Sequence, residues 1–191
     1  MTHKQHASLA LVSLFAALLA VFGLIPKIDL PLGVPITLQT LGVMLAGCLL
    51  GGRRGSQAVL LFLAAVAIGL PLLSGGRGGL GVFMAPSSGY LAGWPLGAFV
   101  TGLVMGMLPS DSPRRAAASS FLASVAGGLL VVHTCGVMGL VAIAGLGWKQ
   151  ALLGTLVFVP GDLVKCVVAA SVVHTVARGL PDWQFGGRAA R

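Results

Sequence analysis

The sequence predicts an all-α membrane protein of six transmembrane helices with both termini in the cytoplasm. Three observations carry that expectation. Of the 191 residues, 57% are hydrophobic and 8% charged, with a mean hydropathy of +1.00, where a soluble domain carries roughly 25% charged residues. Apolar segments recur at about 7–25, 36–52, 55–73, 88–108, 116–145 and 150–177, each near or above the roughly 20 residues that cross a hydrocarbon core. The basic residues, finally, fall between these segments and mostly on one side, so the net charge of +8 reads as a topology signal rather than a nucleic-acid surface.

In chain order, the first segment comes after a short polar start. Its apolar run of about 19 residues exceeds the roughly 7–15 of a signal-peptide core, and Pro26-Lys27-Ile28-Asp29 is no small-residue cleavage site. It reads as a retained span. Within it Ala16 and Ala20 stand four apart, with Ser13 and Ala10 before them, a pattern of small residues that lets another helix approach closely. The second segment begins in the polar run Pro35-Ile36-Thr37-Leu38-Gln39-Thr40, and the fifth is too long for a straight crossing. Gly127, Gly128, Gly136 and Gly139 give that fifth segment places to pack closely or end early.

Orientation is set by Lys4, Arg53, Arg54, Arg114, Arg115, Arg178, Arg188 and Arg191 on one side against Lys27, Arg77 and Lys149 on the other. The richer side is cytoplasmic. The first two outer loops, Pro26–Pro35 and Ser74–Gly89, are rich in glycine and proline yet contain Leu30, Leu32, Val34, Val82, Phe83 and Met84. Such loops are expected to fold over a cavity or to lie at the lipid interface. No repeat, linker or charge run marks a second unit, so residues 1–191 read as one integral membrane domain.

Asp162 and Lys165 stand apart from every other charged residue, because they alone lie well inside a predicted span. A charge at that depth needs a partner or a polar cavity, and a spacing of three puts the two on one helix face. An interhelical ion pair, a site for a polar ligand and a proton relay all fit this placement. Pro160-Gly161 just before them is expected to interrupt the helix and free backbone groups. Thr37, Gln39, Ser88 and Tyr90 fall at the outer level of the second and fourth segments, where caps, belt residues or ligand contacts occur. Arg77, inside Gly75-Gly76-Arg77-Gly78-Gly79, is either a solvated charge or a donor to an anion.

Other chemistry is lacking. Cys48, Cys135 and Cys166 sit singly in apolar stretches and read as small thiols in helix packing. His133 and His174 have no partner at helical spacing, so no metal site is expected. The sequence contains no phosphate loop, no H-E-x-x-H helix and no G-x-S-x-G elbow, and no catalytic residue is expected.

Several stretches together resemble one known family. They are Val34-Pro35-Ile36-Thr37-Leu38-Gln39-Thr40-Leu41-Gly42-Val43-Met44-Leu45-Ala46-Gly47, Leu50-Gly51-Gly52-Arg53-Arg54-Gly55, the glycine loop leading to Gly89-Tyr90, and Phe158-Val159-Pro160-Gly161-Asp162-Leu163-Val164-Lys165. From about residue 8 to 178 the chain looks like the BioY family, the biotin-specific S components of energy-coupling-factor (ECF) transporters. The resemblance implies the S-component fold in the cell inner (plasma) membrane, multi-pass, and biotin bound in an outward-facing cavity. It further implies ATP-driven import with a coupling subunit and ATPase subunits, and no cofactor beyond biotin as the transported ligand. Asp162 and Lys165 match positions that contact the polar ring, and the Ala16/Ala20 face would dock the coupling subunit. In the glycine loop Arg77 stands where an uncharged polar residue is usual, and it is expected to meet the ligand's carboxylate. A solitary proton-coupled vitamin carrier and an intramembrane enzyme using Asp162 as a base are the competing readings. Whether the chain works alone, as a homo-oligomer or only in a complex stays open.

Overall fold

The computed structural model describes residues 3–28 and 34–187, with side chains from Ser8 onward. Asp29, Leu30 and Leu32 of the first outer loop, Arg188 and Arg191 of the tail, and the side chain of Lys4 lie outside the described residues.

Eight α-helices are present among these residues: α1 (His3–Gly23), α2 (Gln39–Leu50), α3 (Gly52–Ala67), α4 (Ser88–Met107), α5 (Pro113–Ala123), α6 (Val132–Ala142), α7 (Trp148–Leu156) and α8 (Val159–Gly179). A π-helical stretch, Ser124–Val131, joins α5 to α6 without a break. Ser88–Met107, Pro113–Ala142 and Val159–Gly179 are long and apolar enough to cross a membrane, while Ser8–Gly23 and Gln39–Leu50 are apolar but shorter. Leu14, Leu61, Ile68, Leu96, Leu103, Leu122, Leu130 and Val164 are all exposed. Apolar side chains displayed this widely suit lipid and would be a liability in water.

Helix α4 is central, packing on α2, α3, α5, α6 and the π-helical stretch. Glycines make those approaches possible. A side-chain carbon on Gly102 would collide with the Gly51–Gly52 backbone, one on Gly139 with Gly89, and one on Gly127 with Thr101 and Gly97. The four glycines of the fifth segment therefore act as close-packing points, and the segment continues for 30 residues. Its π turns add residues to the winding, and each added residue rotates the rest of the helix by about 100°. His133, the second residue of α6, inherits that rotation and is buried. Cys48 and Cys166 are buried and Cys135 partly so, all as free thiols.

Two sequence expectations change in detail. The interruption in the last segment falls at Val157–Phe158, between α7 and α8, rather than at Pro160-Gly161. Pro160 instead occupies the opening turn of α8, where its missing N–H removes no helical hydrogen bond. The second outer loop also divides its apolar residues: Val82 is buried and Phe83 packs against the core, but Met84 is 77% exposed. Short bridges pin both loops, Ile28 to Ile36 and Leu73 to Arg77. Gly75 and Gly76 turn the second one at φ 81° and 68°, values a side chain would resist.

Candidate functional site

A small cavity of about 50 Å3, open at its mouth, lies beneath these loops. Both loops line it, through Val34 to Thr37 and through Leu73 and Arg77, as do α2, α4, α6 and α8. Among the described apolar loop residues, Val34 and Val82 are buried against the core, whereas Ile28, Leu80 and Met84 are exposed, so the loops turn only part of their apolar surface inward.

Its charged wall comes from the first two turns of α8. Asp162 is 4% exposed and Lys165 9%, and Lys165 Nζ donates to Asp162 Oδ1 at 2.7 Å. Asp162 also lies in the opening turn of its helix, where the free N–H groups and helix dipole favour negative charge. Two neighbours complete the group. Thr40 Oγ1 accepts from Lys165 Nζ at 2.8 Å and stands 3.3 Å from Asp162 Oδ1. His133 Nε2 lies 2.8 Å from Asp162 Oδ2, a geometry that selects the Nε2–H tautomer because an ionised carboxylate only accepts. Three helices distant in sequence thus converge on one carboxylate.

Aromatic rings form the adjacent wall. Tyr90 meets His133 edge-on with ring centroids 6.1 Å apart and Phe158 at 5.7 Å, and its hydroxyl bonds Thr155 Oγ1 at 2.7 Å. Tyr90 is therefore a core residue facing the cavity, not part of an interfacial belt. Below it Trp94 lines the cavity and packs on Phe62.

The remaining residues singled out from sequence fall into different surroundings. Thr37 and Arg77 line the cavity, and Arg77 Nε donates to Ser74 O at 3.4 Å. Gln39 also lines it, but its amide is fully engaged. Nε2 donates to the carbonyls of Leu19 and Leu72, both at 3.1 Å, and Oε1 accepts from Ser74 N and Oγ. Ser88 is buried, outside the cavity lining, with no partner for its hydroxyl. Ala16 and Ala20 are partly buried and pack against the protein's own core, whereas Ala10, Ser13, Leu14 and Ala17 are exposed on α1. Trp94 was not singled out from sequence, and His133 was weighed there only as a metal ligand. A lone histidine in an apolar run gives no spacing signal, and a tryptophan there looks like any other packing residue. Among the described residues no cluster of three metal-ligating side chains is present.

Among the described residues, membrane-length apolar helices around a loop-covered cavity with the Asp162–Lys165 pair on its wall suit a membrane protein that holds a small polar ligand. In fold the chain superimposes with a TM-score of 0.83 on the crystal structure of the S-component for biotin from an ECF-type ABC transporter, at 31% identity over 93% of this chain and 95% of that one. The sequence model of the BioY family matches residues 1–182, and the chain belongs to that family. It is 49% identical over 176 residues to the biotin transporter BioY of Rhizobium etli, covering 91% of this chain and 94% of that protein. With the biotin transporter BioY of Rhodobacter capsulatus it shares 46% over 184 residues, covering 92% and 95%. These relationships place the chain among membrane transport components rather than enzymes.

Proposed function

We propose that this chain is the substrate-capture subunit of a vitamin uptake transporter, binding biotin in the cavity beneath its outer loops. The relatives bear the name biotin transporter, and the structural neighbour is the biotin S-component of an ECF-type transporter. The observation that carries the reading for this chain is the buried group of Asp162, Lys165, Thr40 and His133 on the cavity wall. A cyclic urea offers two N–H donors and one strong acceptor. Asp162 accepts from the former, and Lys165 donates to the latter. Leaving such groups unpaired on burial costs roughly 1–3 kcal/mol each, so the site selects the ureido ring over an apolar ring of the same shape. Tyr90, Phe158 and Trp94 give the apolar part of the ligand its walls, and Thr37 and Arg77 face the same space. Arg77 serves the carboxylate. Gln39 supports the site from its edge by holding the loop.

In this reading residues 1–191 form one domain of six crossings in the cell inner membrane, with both termini cytoplasmic. The crossings are α1, α2 with the extended stretch before it, α3, α4, Pro113–Ala142, and α7 with α8. At 1.5 Å per residue α2 alone is about 18 Å long, so residues 34–38 complete its crossing. The sequence holds no phosphate loop, and ATP is hydrolysed by separate ATPase subunits joined through a coupling subunit. Helix α1 docks that subunit through the edge carrying Ala16 and Ala20.

Binding of labelled biotin to the purified protein tests this. Asp162→Asn and Lys165→Ala should each weaken binding by roughly 10-fold to 100-fold, since each removes a hydrogen bond from a charged group to the ligand, about 1.5–3 kcal/mol. Undiminished binding in both variants would remove the site assignment.

A further inference from the structure

Among the buried side-chain polar atoms of the described residues, Ser87 Oγ, Ser88 Oγ, Trp94 Nε1 and Thr101 Oγ1 have no hydrogen-bond partner. Ser87 and Trp94 line the cavity. Buried polar groups in folded proteins are nearly always satisfied, and the exceptions call for an explanation such as a missing ligand. An indole N–H can only donate, so what satisfies Trp94 must present an acceptor.

The packing fixes the level of Trp94 along α4. Gly93 and Gly97 on either side of Trp94 abut Val132, and Gly93 also abuts Cys135. Trp94 therefore stands level with His133, and hence with the carboxylate of Asp162 that His133 bonds. Ser87 is seven residues earlier, just before α4 begins, or about 10 Å outward along the helix. Arg77 lines the cavity too. Trp94 on α4 and Ser87 just before it thus carry two unpaired groups at a separation that suits an elongated ligand with a polar group at each end.

Resting on the reading of biotin as ligand, we infer that α4 gauges the ligand's length: Trp94 Nε1 donates to the ureido oxygen at the inner end, and Ser87 Oγ donates to the carboxylate at the mouth. Lys165 and Trp94 then approach the ureido oxygen from different helices, and a carbonyl oxygen has two lone pairs to receive them.

The test compares ligands as well as variants. At neutral pH 2-iminobiotin carries a guanidinium in place of the urea, with N–H groups but no acceptor. In competition against labelled biotin, Trp94→Phe should weaken biotin roughly tenfold or more and weaken 2-iminobiotin by less than about twofold. Ser87→Ala should weaken biotin more than biotinol, in which an alcohol replaces the acid. On the unsubstituted protein the indole 15N–1H resonance of Trp94, one of three tryptophans, should move downfield with biotin and not with 2-iminobiotin. Equal weakening of both ligands by Trp94→Phe, showing a role in shape alone, would overturn the inference. So would an unshifted indole resonance with unchanged biotin affinity, showing that water alone satisfies the N–H. Failure of the unsubstituted protein to bind any biotin would instead sink the functional reading itself.

Discussion

Gln39 and Thr40 are neighbours at the start of α2, both polar and both in contact with the cavity lining, yet they enter opposite kinds of network. Gln39, 1% exposed, bonds the carbonyls of Leu19 and Leu72 and the N–H and hydroxyl of Ser74. Three of these four partner atoms are backbone, and they belong to α1 and to the loop after α3. Thr40 bonds only side chains, those of Asp162 and Lys165. A backbone partner is fixed by the fold, whereas a side-chain partner can exchange one hydrogen bond for another as a ligand enters. One residue fastens the loop and the next belongs to the site, and the direction each side chain takes from the helix decides which.

Breaking the fastening should have the largest effect on the fold. Gln39→Ala leaves the Leu72 carbonyl and the Ser74 N–H without their buried partner, a loss of about 2–6 kcal/mol at roughly 1–3 kcal/mol per stranded group. The expected readout is a clear fall in thermal midpoint in detergent, with the affinity of the remaining folded fraction for biotin reduced far less than in Asp162→Asn. A variant as stable as the parent would show that the four bonds around Gln39 are dispensable and erase the contrast with Thr40.

His133 sharpens the contrast from the other side. It holds Asp162 Oδ2 while Lys165 and Thr40 attend Oδ1, so it orients the carboxylate. His133→Leu fills the same space but removes the donor. A hydrogen bond to a charged group contributes about 1.5–3 kcal/mol, and affinity for labelled biotin should fall roughly 10-fold to 100-fold. His133→Gln, which restores an N–H at similar reach, should recover part of the loss. If Leu and Gln behave alike, the histidine contributes bulk and not orientation.

The sequence made the two ends of this site unequally legible. Asp162 and Lys165 were visible because charge inside an apolar span is expensive, and the spacing of three already implied a shared face. Part of the inward folding of the two loops was legible in Val34, one of several apolar residues set among the turn formers of residues 26–35. His133 was not, since its position depends on the π turns at Ser124–Val131, and hydropathy does not distinguish π from α winding. The break at Val157–Phe158 was misplaced for a related reason: proline suggests an interruption, but at a helix's first turn it marks a beginning. Ala16 and Ala20 showed the spacing for close packing, which does not say whose helix comes close. In the structure the protein's own core takes up part of that surface.

The smallest expected effect belongs to Thr40. Thr40→Val keeps the β-branched shape and removes only the hydroxyl that accepts from Lys165 Nζ at 2.8 Å and stands 3.3 Å from Asp162 Oδ1. The ion pair between Asp162 and Lys165 at 2.7 Å survives the change, so neither charge is stranded. The loss is that of one ordinary net hydrogen bond, about 1 kcal/mol, or roughly fivefold in affinity. Stability should fall less than in Gln39→Ala, because a single hydroxyl is lost and no backbone group is stranded. The pair of neighbours then separates cleanly in two measurements: Gln39→Ala shifts the thermal midpoint more than affinity, and Thr40→Val shifts affinity with a smaller change in the midpoint. If Thr40→Val instead lowered the midpoint as much as Gln39→Ala, the hydroxyl would be part of the scaffold. The boundary between scaffold and site would then run between Thr40 and Asp162, not between residues 39 and 40.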